Sequence, residues 1–432
     1  MSHERTRRAR RARPAVALSA AGAFSLCGLL PSSASADPIA VGAGDRASEV
    51  MSATSTSGDA VVAYLTEQSL VVARRAPGAA ANAWQVGAAA PGFHVASHPD
   101  VGVTADGRTI VTWREGTRPP FRLRAAIAER GAPFDAPMDV SQVSAGPSLS
   151  GGRIAALPSG AAVVAFVQGS SVDERQVRIA VLAAGSSRFA VSKGLAPAGD
   201  QAIRTKAPSV VASGSGALLG WSGRWRGYVK DLVVARLDRA GRMTGRPRVL
   251  SHVARTPPLL ASTPSGSAVA AWSAPNGTVW TCALPARSTR CRTRLSATGT
   301  KASSYRPLPA AISDRGELAV AVTAESAASP ATPYFLTARA GARRWTRTAL
   351  PIGRYGGFEP GNLAFDAEGS VSTLVEQGEQ AWLFRARPGA VPEVVGLGAS
   401  GATNYGPALI RLGAGVFGAW TRPDAGVAVE DL

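Results

Sequence analysis

An all-β repeat fold is what this 432-residue chain predicts, and three observations predict it. A turn glycine recurs at Gly58, Gly107, Gly160, Gly216, Gly266, Gly316, Gly369 and Gly415, at intervals of 49, 53, 56, 50, 50, 53 and 46 residues. Five or six residues after each stands an apolar, mostly aromatic residue: Tyr64, Trp113, Phe166, Trp221, Trp272, Val322, Val375 and Trp420. Eight residues before most of them, give or take one, is a proline: Pro99, Pro208, Pro258, Pro307, Pro360 and Pro407, with Val50 in the first unit and Pro147 further upstream in the third. Similarity at a fixed period is the mark of a repeat architecture.

The clearest unit is PDVGVTADGRTIVTW, residues 99–113. The proline opens a first strand, where a missing N–H does little harm. Asp-Gly, Ser-Gly and Arg-Gly pairs supply turn residues that tolerate positive φ. The second strand is almost wholly apolar, as in VVAYL (61–65), AVVAF (162–166) and AVAAW (268–272), which predicts cover on both faces. A third strand follows, as in LVVARR (70–75) and QAWLFRA (380–386), then a short variable fourth such as PRVLS (247–251). Four strands in about 50 residues, without a helical period, describe the blade of a β-propeller. A β-sandwich or a string of small β domains is the competing architecture, but neither needs an aromatic residue at one place in every repeat. The last unit has three strands, GPALIRLG, GVFGAWT and GVAVEDL, and the segment 37–44 has no partner of its own. The expected solution is eight four-stranded blades, with seven as the fallback, closed by that N-terminal strand as the outer strand of the last blade.

Residues 1–36 read as a secretory signal: six arginines between Arg5 and Arg13, an apolar run from Pro14 to Leu30, and the A-x-A site Ala34-Ser35-Ala36. Residues 37–432 then form one propeller domain, and a secreted or envelope-associated monomer is expected. Past that site two cysteines remain, Cys282 and Cys291, on what read as the third and fourth strands of one blade, and in an exported chain they predict a local disulfide. The same 396 residues carry 41 basic and 28 acidic side chains, and the basic ones are scattered over all the repeats. Four lysines against a large excess of arginine point to coding bias, and no clustered stripe suggests nucleic-acid binding.

Loops joining fourth to first and second to third strands surround one mouth of a propeller's channel. Here they hold Arg114, then Arg224, Trp225, Arg226 and Tyr228 in the segment SGRWRGYVK (222–230), then Tyr305, Arg354, Tyr355, Glu359 and Tyr405. Aromatic faces among cations suit a sugar or peptide with anionic groups. Catalytic motifs are missing: no G-x-S-x-G before a helix, no Walker A, no HExxH, no DxDxDG, and nothing that calls for a cofactor. His94 and His98 with Asp100 lack metal-site spacing. Rim carboxylates Glu115, Asp173, Glu359 and Glu376 show no evident pairing for glycosidase work.

On the turn-plus-aromatic unit, residues 37–432 resemble the broad class of exported bacterial β-propeller repeat proteins. WD and kelch signatures are missing. The Asp box of sialidase-like propellers, S/T-x-D-x-G-x-T-W, is not matched by Thr104–Gly107 or by Ser313–Gly316. The resemblance implies a fold; the function expected with it is non-catalytic binding of a protein, peptide or envelope glycan at the loop rim. The alternative is a glycoside hydrolase or lyase acting on an anionic sugar.

Overall fold

Short, β-branched and alanine-rich segments separated by glycine turns leave the backbone one way to satisfy its polar groups, which is pairing with the adjacent segment. The computed structural model describes residues 39–41, 47–90, 96–116, 118–141, 148–170, 175–191, 194–195, 208–226, 229–254, 256, 258–297, 309–326, 329–339, 341–350, 359–377, 379–387, 390–401, 407–423 and 426–432. These form eight antiparallel sheets in sequence order, blades I to VIII, each a meander of strands a, b, c and d. The a strands are Ser48–Thr54, Ala96–Val103, Ser148–Leu149 with Arg153–Ala156, Ser209–Ser213, Leu259–Ser262, Ala310–Ile312, Glu359–Phe365 and Ala408–Leu412. The b strands are Ala60–Leu65, Thr109–Glu115, Ala162–Gly169, Gly216–Arg226, Ala268–Ser273, Leu318–Ser326, Val371–Gln377 and Gly415–Thr421.

Each a strand packs against the a strands of the blades before and after it, and that of blade VIII meets that of blade I, so the eight close into a ring. The closure is the one the sequence predicts. Strand d of blade VIII is Ile39–Val41, paired antiparallel to Val427–Asp431 with Ile39 opposite Val429. The recurring apolar residue of strand b lies between blades. Trp113 joins the apolar cluster of blades I and II, Trp221 that of III and IV, Trp272 that of IV and V, and Trp420 that of VII and VIII. Tyr64 lies between blades VIII and I and Phe166 between II and III. Truncating one such buried aromatic costs about 3–5 kcal/mol.

Three details differ from the sequence reading. In blades IV and VIII the residues with positive φ are Gly214 and Gly413, two before the glycines that carry the period. Ser213 pairs with Gly216 and Leu412 with Gly415, so these hairpins have two-residue loops, which need positive φ earlier. Within the segment 222–230, residues 222–226 and 229–230 are strand rather than loop. Strand b of blade IV runs to Arg226 and strand c, Val229–Leu237, starts at once, with a register shift between Ser222 and Trp225. Its Trp and Val residues favour strand pairing over an open loop. Cys282 lies on strand c of blade V, Val279–Leu284, but Cys291 stands two residues before strand d, Thr293–Ala297. The disulfide between them forms across a Cα separation of 5.3 Å.

Candidate functional site

The a strands of the first three blades are interrupted near their starts. In blade I the register shifts between Ser48 and Met51, and in blade II between Ser97 and Asp100. Two residues of each a strand, Glu49-Val50 and His98-Pro99, thus oppose one residue of strand b, the inter-blade aromatics Tyr64 and Trp113. In blade III the a strand breaks at Ser150-Gly151-Gly152. Such bulges bend a strand and re-aim its side chains. Glu49 and His98 have φ of 51° and 56°, a conformation uncommon for residues other than glycine and one that accumulates at functional sites.

The three interruptions fit into one another. The His98 backbone N–H donates to Glu49 Oε2 at 2.7 Å, tying blade II to blade I. A Cβ on Gly151 would lie 2.5 Å from the Cβ of His98 and 2.8 Å from its carbonyl oxygen, so blade III approaches His98 because residue 151 has no side chain. Asp100 Oδ2 accepts the N–H of Ile154 at 2.7 Å, and Arg153 Nη1 stands 3.6 Å from Asp100 Oδ1. Arg114, on strand b of blade II, donates from Nε to Ser97 Oγ at 3.1 Å and lies 4.8 Å over the Phe121 ring.

The electrostatics follow from this packing. Burial lowers the pKa of the His98 imidazole, and the nearby guanidinium groups of Arg114 and Arg153 lower it further. Yet His98 is exposed on its innermost strand. Burial raises the pKa of Asp100 against the opposing pull of Arg153 and the N–H groups of Ile154 and Val101. Burial lowers that of Arg114, and Glu49 works against it. The result is a neutral imidazole, open to solvent, beside two cations. It can accept a proton or a hydrogen bond, and the cations can hold an anionic group next to it.

Of the residues named from sequence, Arg114 belongs to this cluster. Arg224, Trp225 and Arg226 are placed by backbone on strand b of blade IV, and Glu359 opens strand a of blade VII. Tyr228, Tyr305, Arg354, Tyr355 and Tyr405, with His94, lie outside the described residues. Asp100 is engaged by Arg153 and Ile154. His252, on the outer strand of blade IV, contacts Asp231 at 2.8 Å. The carboxylate-bearing positions Glu359 and Glu376 turn out to be cross-strand partners, which spacing in the sequence hides. Glu376 is buried and accepts from Thr421 N and Oγ1 at 3.2 and 3.1 Å, joining blades VII and VIII. Among the described residues no group of three or more His, Cys, Asp or Glu side chains is placed to hold a metal ion.

Sequence reasoning missed Glu49 and Arg153, and weighed His98 only beside His94 as a metal ligand. A signal was present: Glu49, His98 and Gly151 each stand nine residues before the turn glycine of their unit. Aligning the repeats by column puts the three bulge residues in one column.

No protein-family model and no curated protein matches the chain. Solved structures do. A puromycin hydrolase is similar at 16% identity with a TM-score of 0.51, over 89% of this chain and 58% of the other. An ulvan lyase is similar at 11% identity and a TM-score of 0.48, over 91% of this chain and 94% of the other. A microbial sialidase is similar at 11% identity and 0.45, over 89% and 65%. The chain thus spans little more than half of the puromycin hydrolase. At these identities the likeness is one of fold.

Proposed function

We propose that the chain is a ligand-binding propeller that takes the carboxylate of an acidic glycan or peptide at the blade I–III mouth of its channel. The observation that carries this reading is the gathering of two guanidinium groups, Arg114 and Arg153, around an exposed His98 where the bulged strands of blades I, II and III interlock. An anion there gains two charged hydrogen-bond donors, and Arg114 is already fixed by Ser97 and Phe121, so little ordering cost remains. The test is titration of the folded chain with a polyuronate, an acidic peptide and a neutral glycan. Binding that needs the carboxylate and falls at least tenfold in Arg114→Gln supports the reading. Equal binding of the neutral glycan, or no loss in the variant, would sink it.

One observation favours a second reading. A neutral imidazole beside cations is also equipped to abstract the proton next to a carboxylate, the first step of an elimination that cleaves an acidic polysaccharide. His98 would take the proton. The carbon–hydrogen electron pair would form the carbon–carbon double bond as the bond from carbon to the glycosidic oxygen breaks. That oxygen would leave as an alcohol on taking a proton from the His98 imidazolium or from water. Ultraviolet absorbance of the unsaturated product, absent in His98→Ala, is its measurement. Binding without that absorbance rejects elimination and leaves the first reading standing.

A further inference from the structure

Exposed positive charge is concentrated in one arc of the ring. In blades IV, V and VI the connections between strands c and d are residues 238–247, 285–292 and 339–345. They carry nine arginines and one acid, Asp238. The corresponding connections of blades I to III, 76–84, 129–137 and 183–188, carry two arginines and two acids, Glu129 and Asp135. The whole-chain count hides this, because scatter along the sequence becomes an arc once the meanders stack.

All nine arginines are exposed, and so are Arg248, Arg294 and Arg347 on the adjoining outer strands. Asp238 offsets one of these charges, and its Oδ1 accepts the N–H groups of Ala240 and Arg242 in its own turn, each at 2.8 Å. The three connections sit side by side. Arg236 of blade IV donates to the carbonyls of Pro285 and Ser288 in the blade V connection, at 2.5 and 3.0 Å. Ala342 and Trp345 of the blade VI connection pack into the apolar cluster of blades V and VI, together with Ala283. Met243 and Val249, each 39% exposed, stand among the arginines of blade IV.

We propose that this arc is a docking surface for a membrane leaflet rich in anionic lipid. Connections between strands c and d all emerge at one end of a propeller and at a similar radius, so their tips address a plane of headgroups together. Each basic residue near such a surface adds to the attraction, and exposed apolar side chains among them reach the boundary of the acyl chains. The orientation follows from the meander: the end bearing His98 is opposite the turns between strands c and d and faces away from the bilayer, open to ligand.

The experiment is co-sedimentation of the folded chain with phosphatidylglycerol-containing vesicles and with pure phosphatidylcholine vesicles. The variant Arg242→Gln/Arg290→Gln/Arg344→Gln is compared with a charge-matched control, Arg118→Gln/Arg122→Gln/Arg175→Gln, at the end bearing His98. The proposal expects binding to the anionic vesicles alone, weakened on the order of a hundredfold in the arc variant and less than threefold in the control. Both variants should melt within a few degrees of the parent (on the order of 2–4 °C per kcal/mol of stability), which separates docking from folding. Equal losses in the two variants, equal binding to both vesicles, or capture by a soluble polyuronate without vesicle binding would each overturn it.

Discussion

At the end where strands a turn into strands b, neighbouring blades are joined through carbonyls and through two arginine–carboxylate pairs, Arg130–Asp59 and Arg75–Asp431; at the opposite end carboxylates receive backbone N–H groups. On the first end Arg108, 2% exposed, donates to the carbonyls of Gly160, Ala183 and Ser186 in the next blade, at 2.8, 3.3 and 2.7 Å. Ser57 Oγ reaches Ala105 O at 2.8 Å, Ser213 Oγ reaches Gly266 O at 2.6 Å, and Ala367 N reaches Ala414 O at 2.8 Å. Thr54 Oγ1 bonds Arg411 O at 2.9 Å, which carries the series across the join of blades VIII and I. On the second end Glu49, Asp100 and Glu376 each receive a backbone N–H from an adjacent blade. Neither a guanidinium on a carbonyl nor an arginine–carboxylate pair titrates near neutral pH, and a histidine does. The ring is thus fixed at one mouth by carbonyl bonds and arginine–carboxylate pairs, and the bulged strands with His98 gather at the other.

The hardest blow to this division is Arg108→Ala. It strands three carbonyls in a blade joint and should lower unfolding free energy by about 3 kcal/mol, read by denaturant titration, while carboxylate binding at the far mouth stays within a factor of two. Opening the Cys282–Cys291 disulfide by Cys282→Ser/Cys291→Ser should cost about 2–3 kcal/mol from a loop of this short span, again without touching ligand affinity. Gly151→Ala tests the opposite end. Its Cβ would press on His98, so a stability loss of about 1–3 kcal/mol should come together with lost binding. If Arg108→Ala abolished binding, or Gly151→Ala spared it, the two ends would not be separable.

The smallest effect sharpens the comparison most. The folded pKa of His98 lies below its unfolded value of about 6.5. Its stabilising contribution is therefore complete above that pH and is lost as the pH falls towards the folded value. Replacing His98→Gln should flatten the decline in melting temperature between neutral and mildly acidic pH. An anion bound beside the imidazole favours its protonated form, so affinity should rise over the same interval. Elimination needs the neutral ring, so turnover should fall there. The two functional readings thus predict opposite slopes.

Much of the ring was legible because propeller blades are specified by local signals. A glycine turn and an apolar strand b of fixed length leave the chain little choice, and Tyr64, Trp113 and Trp420 were readable as inter-blade residues from their phase alone. The site was far less legible. Glu49 and His98 act through a bulge, and a bulge depends on how two strands align across a blade, not on either strand's composition. Arg153 reads as an ordinary strand residue until blade III is set beside Asp100. The arc of arginines escaped for a related reason: 238–247, 285–292 and 339–345 are distant in sequence and become neighbours when the blades stack.

The pairing of Ile39–Val41 with Val427–Asp431 also has a kinetic side. Ile39–Val41 has a partner made roughly 390 residues later, so most blades can form during synthesis while the ring stays open. Until Val427–Asp431 is made, Ile39–Val41 has no partner and is free to pair wrongly, with another copy included. Without Val427–Asp431 the eighth blade would keep two strands beside seven whole blades, and the ring would have no seam.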